Sequence, residues 1–140
     1  MSDFFSSTDL ALLILRVGTG VIFIPHGYPK MTGGGGDEKG GQAHLTQSLA
    51  RMGLPFPRTF AALVGAIEFF GGLLLIIGLQ TQLASLALAF VMLVATGRVL
   101  VQRGFVGEAD FPFSLLVATL ALALLGGGTI SLEQIVLAVR

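Results

Sequence analysis

Between Phe60 and Leu79 the chain reads FAALVGAIEFFGGLLLIIGL, a mostly apolar run of twenty residues with one acid, Glu68, near its middle. As a helix such a run is about 30 Å long, the thickness of a bilayer's hydrocarbon core. It has no polar face to turn toward water, so it predicts a membrane span. A carboxylate at that depth costs about 2.5–3.5 kcal/mol on insertion scales and requires a proton or a partner.

Three further runs repeat the pattern. LALLILRVGTGVIFI follows Ser6, Ser7 and Thr8, good helix-capping residues. The first span is expected over about 8–26, where Pro25-His26-Gly27-Tyr28-Pro29 breaks it. The second covers 60–79, with the rigid turn Gly53-Leu54-Pro55-Phe56-Pro57 leading into it. Gln80-Thr81-Gln82 leaves room only for a tight hairpin before the third, 83–101. The fourth, 111–128, has Pro112 in its first turn and Asp110 as its expected cap. Between spans one and two, the glycine-rich stretch Gly33–Gln42 reads as a loop. AHLTQSLARM then places Leu45, Leu49 and Met52 on one face, predicting a short interfacial helix within 27–59. Ser131 and Gln134 have the spacing of a capped amphipathic tail.

Composition supports this reading. Hydrophobic residues make up 54% of the chain and charged residues 11%, against about 25% charged in a soluble domain. The predicted fold is therefore one all-α membrane domain over 1–140, a four-helix bundle with an interfacial helix after span one. A formal charge of zero offers no footprint for nucleic acid. The lack of cysteine excludes disulfides, iron–sulfur clusters and thiolate metal sites, and two histidines, one of them in a polar loop, argue against a bis-histidine haem site within one chain, so no metal site is expected. No intrinsic cofactor is expected. MSDFFSSTDL carries acids and no basic segment, so the first run is expected to stay as an anchor.

Four spans put both ends of the chain on one side. Lys30, Lys39, Arg51, Arg58, Arg98 and Arg103 fall at the opposite side, against Arg140 alone. The positive-inside rule then predicts cytoplasmic 1–2 and 3–4 loops and both termini outside; the expected setting is a bacterial cytoplasmic (inner) membrane.

The charged residues form two expected clusters. Counting rises from His26 and Phe60 places Arg16 about 15 Å and Glu68 about 12 Å from the basic end. Gly20 and Phe23 share the face of Arg16, and Ala61, Gly65 and Gly72 share that of Glu68, so a buried Arg16–Glu68 ion pair is predicted. It is either a clamp between two helices or a proton- or ligand-handling pair. His26, Tyr28, Lys30, Arg98 and Asp110 all come from span ends on the basic side. They either ring a shallow cavity or simply meet lipid headgroups, Arg98 by snorkelling and Asp110 by capping.

The order of motifs resembles the DoxX family of small four-helix membrane proteins. Arg16, His26-Gly27 and Lys30 are similar to its R…F…HG…K opening, and Gly53-Leu54-Pro55-Phe56-Pro57 to its G-L-P-x-P turn. Gly65-x-x-Glu68-x-x-Gly71-Gly72 with Gly78-Leu79-x-Thr81, then Asp110-Phe111 and Gly126-x-Gly128-x-x-Ser131-Leu132-Glu133, follow the family's later pattern. Gln82 replaces a usual basic residue and Glu133 a usual Asp. The resemblance implies a link to quinone-coupled redox systems, with some relatives associated with thiosulfate:quinone oxidoreduction and others with oxidative-stress complexes. On that implication a quinone or lipid headgroup is the expected ligand of His26, Tyr28, Lys30 and Arg98. The expected partners are membrane lipids and a larger membrane complex or a second copy. A non-enzymatic accessory or assembly subunit, or a small-solute or proton transporter working through Glu68, are the competing readings.

Overall fold

The computed structural model describes residues 6–34 and 41–139. Much of the expected glycine-rich loop, together with Lys39 and Arg140, lies outside the described residues. Six helices account for most of the rest: α1 (Ser7–Thr32), α2 (Gln42–Arg51), α3 (Pro57–Ile77), α4 (Thr81–Arg103), α5 (Asp110–Leu125) and α6 (Leu132–Ala138). The four long apolar segments cross the membrane: α1, α3, α4, and α5 with the turn before it. The protein is an all-α integral membrane bundle.

Local chemistry sets the helix ends. Ser6 caps α1, its Oγ accepting from Asp9 N at 3.1 Å while the Asp9 carboxylate accepts from Ser6 N, a reciprocal capping box. Phe56 in a left-handed conformation and Pro57 at the first helical position open α3 three residues earlier than predicted. Left-handed Gly78 and Gln80 make the turn into α4. Before α5, Phe105–Ala109 is an irregular turn closed by Asp110 N donating to Phe105 O. Ser131 caps α6 by accepting from Gln134 N, as its spacing predicted.

The expected break at Pro25 does not occur. The first helix runs through Pro25 and Pro29 and ends at left-handed Gly33, two turns further on. Pro25 is exposed, so its missing N–H falls on the outer side of the helix. On the inner side Gly27 lies against the α3 backbone, where an added Cβ would collide with Gly65 O and Phe69 N. Packing on that face carries the helix across both prolines, as neighbours commonly do in membranes.

The bundle is two tight pairs joined more loosely, α1 packing chiefly on α3 and α4 on α5. Glycines set the first pair: Gly20 faces Gly72 and Gly27 faces Gly65, backbone against backbone. Both helices repeat glycine every seven residues, two turns, which keeps one face small along the crossing. Gly71 seats the Leu88 side chain where α3 meets α4. Phe23, Leu75, Leu88, Met92 and Leu122 fill the centre. The interfacial α2 rests on α3 and α1 with no residue fully buried.

Candidate functional site

The glycine register fixes the depth of each charged side chain. Four residues before Gly20, Arg16 stands opposite Ile76, eight residues or about 12 Å from the level of Glu68. Side chains also lean toward the N-terminus of their own helix. In an antiparallel pair this turns Arg16 and Glu68 away from each other. It turns Lys30, about 9 Å on the other side of Glu68, toward it.

The predicted Arg16–Glu68 pair is therefore not formed. Lys30 Nζ donates to Glu68 Oε1 at 2.8 Å and to Oε2 at 2.5 Å, with the two side chains 14% and 2% exposed. Sequence reasoning placed Lys30 at the headgroups because it ended the first helix too early, and that shortened helix also brought Arg16 too close to the basic end. Arg16, only 2% exposed, points the other way. Its Nη1 donates to Gly127 O and its Nη2 to Ile130 O, each at 2.7 Å. It thus fastens the segment after α5 to the core, a role that no local spacing could reveal.

At the basic end His26 and Tyr28 do not converge. His26 and Tyr28 are two positions apart on one helix and face different neighbours. The His26 ring lies 5.7 Å from that of Phe111 on α5, and the Tyr28 ring 6.0 Å from that of Phe69 on α3. His26 Nδ1 is 2.8 Å from Ile22 O. A carbonyl only accepts, so Nδ1 carries the proton and Nε2 of the neutral ring remains an acceptor.

Arg98 is half-buried, and its Nε finds no partner among the described residues. Asp110 does not pair with it: its oxygens accept from Gly107 N at 2.9 Å and Phe111 N at 2.8 Å. It occupies the first helical position of α5, not the cap. Arg103 and Glu108 form an exposed pair at 3.4 Å. Among the described residues no group of three His, Asp or Glu side chains is placed to hold a metal.

Two buried hydroxyls, and the period of the glycines already placed on the facing sides of α1 and α3, escaped sequence reasoning. The seven-residue glycine repeat was present in the sequence and carries the register. Thr81 and Ser85, fully buried on successive turns of α4, have hydroxyls without partners. Their i, i+4 spacing was visible, but nothing in the sequence set them facing inward.

Comparison with known proteins bears on all of this. The family profile described as DoxX matches residues 11–103. The chain is 33% identical over 130 residues to "Putative oxidoreductase CatD" of Bacillus subtilis (strain 168), covering 93% of this chain and 90% of that protein. It is 30% identical over 142 residues to "Inner membrane protein YphA" of Escherichia coli (strain K12), covering 94% of each. No solved structure matches.

Proposed function

The chain belongs to the DoxX family, and from that premise we propose that it serves as a membrane subunit of a quinone-linked redox system, holding a quinone headgroup at the basic end of the bundle. The carrying observation is Arg98, a half-buried cation that among the described residues has no carboxylate partner and a buried Nε left unpaired. An unused donor of that kind is costly in lipid and suits a carbonyl or phosphate oxygen. His26 and Phe111 offer flat rings beside α5, the helix that packs on both α1 and α4. A bound quinone would supply the two-electron chemistry, while these side chains would bind and orient it. Lys30 leaves this set, because Glu68 occupies its ammonium.

The relative whose name carries the word oxidoreductase supports the redox association. The relative named as an inner membrane protein supports the same membrane here, and the basic residues of the 1–2 and 3–4 connections favour their lying on the cytoplasmic side with both termini outside.

Titration of a lipid-soluble quinone into the purified protein in nanodiscs tests the site. Arg98→Ala is expected to weaken binding tenfold or more, in line with about 1.5–3 kcal/mol for a hydrogen bond to a charged group, and His26→Ala, which removes a flat ring beside Phe111 and no free donor, several-fold, in line with about 0.5–1.5 kcal/mol for an aromatic contact. Unchanged binding in both variants would remove the site. Gentle detergent extraction from native membranes tests the setting, since a redox subunit is expected to leave the membrane in a larger particle.

A further inference from the structure

Arg98 and Lys30 stand at the basic end, but the deepest cation, Arg16, lies toward the other. Among the described residues, every unpartnered buried polar side-chain atom within the four spans belongs to Arg16, Thr81, Ser85, Thr96 or Arg98. Two of the five, Arg16 and Thr81, meet at one level, and Ser85 lies one turn further along α4. The Arg16 guanidinium lies against Gly78, in the turn that leads into α4 three residues before Thr81. Arg16 Nη1 and Thr81 Oγ1 both come within 3.3 Å of the point a Cβ on Gly127 would occupy.

The donors here are unspent. Buried hydroxyls in helices ordinarily bond the carbonyl one turn back, as Thr119 does to Leu115 O at 2.8 Å. Ser85 does not, although it is fully buried, and Thr81, the first residue of α4 with no helical turn behind it, is equally buried and unpaired. Arg16 Nε is likewise unpaired, and neither salt bridge among the described residues includes Arg16. Asp9 makes no direct pair with it; its oxygens accept from Ser6 N, Ser6 Oγ and Thr129 N. The N-terminus of α4, a 23-residue helix whose Gln80 gives it no side-chain cap, adds a favourable dipole for negative charge.

We propose that Arg16 Nε, Thr81 Oγ1 and Ser85 Oγ form a binding site for a small oxygen-bearing anion, a carboxylate or an inorganic oxoanion. The site is closed in this conformation by the segment 126–131, which two Arg16 hydrogen bonds, Thr129 N to Asp9 and Glu133 N to Gly78 O hold down. Loading needs that segment to lift. A shallow cavity of about 370 Å³ lies over it, lined among others by Asp9, Gln82, Gly127 and Glu133. The two acids on that rim disfavour an anion at the mouth, which places the site beneath the segment and not in the cavity.

The test is the unfolding midpoint of the full chain in zwitterionic nanodiscs, titrated with phosphate or acetate against chloride at matched ionic strength. The wild type is expected to gain stability saturably with at least one of the two, and which one identifies the anion class. Thr81→Val with Ser85→Ala removes the unpaired hydroxyls. It is expected to unfold no earlier than wild type without anion, and to need at least tenfold more anion for the same shift. Ser85→Ala alone, the milder change, is expected to weaken the response several-fold. A wild-type response no different from chloride, or a full response in a folded double or single variant, would overturn the site.

Discussion

Replacing Lys30 by Met would strand the Glu68 carboxylate, which is 1% exposed and bonds only to that ammonium among the described residues. Breaking a buried pair from one side costs about 3–5 kcal/mol, whereas exchanging both partners for apolar residues is often close to neutral. The expectation is therefore that Lys30→Met and Glu68→Leu each lower the unfolding free energy by about that amount, while the double variant loses much less than their sum; denaturant unfolding in detergent measures it. Arg16 carries no such coupling to Glu68, so Arg16→Met is expected to be additive with Glu68→Leu in the same assay. At this scale the sequence was legible as an inventory. It placed Arg16, Glu68 and Arg98 within the spans and left Lys30 outside them, and the need of Glu68 for a partner followed from its depth alone. The choice between Arg16 and Lys30 was not legible, because it turns on where α1 ends and on the opposite lean of side chains in antiparallel helices.

Among the elements, glycines divide into those that touch a backbone and those that touch nothing. A Cβ at Gly27 or Gly65 would fall within 3 Å of main-chain atoms of the facing helix, while Gly18 and Gly97 have nothing within 4 Å. Gly27→Ala and Gly65→Ala are expected to force α1 and α3 apart and lower the unfolding midpoint sharply. Gly18→Ala and Gly97→Ala are expected to leave it unchanged or raise it, by about 0.5–1 kcal/mol of helix preference. Thermal unfolding of the four variants separates the two classes. The helices themselves could be read from length and hydropathy, and the interfacial helix from its apolar face. Pro25 misled for a physical reason: a break read from local chemistry was overridden by packing that only the folded pair supplies.

Taken whole, the molecule lends itself to a topology measurement, since it contains no cysteine to remove. Thr129→Cys, in the exposed segment after α5, is expected to react with a membrane-impermeant maleimide in intact cells. Gln47→Cys, exposed on α2 at the basic end, is expected to react only after the membrane is opened; the reverse pattern would invert the proposed orientation. The separation of Arg16 from its partners has a further consequence, one of timing. Lys30 meets Glu68 38 positions later in the chain, and Arg16 meets its carbonyls 111 and 114 positions later. During synthesis the first helix therefore enters the bilayer with two cations and none of the groups that satisfy them. Removed from the rest of the chain it should insert poorly, and nascent chains halted before α3 should remain exposed to the quality-control proteases that the finished bundle escapes.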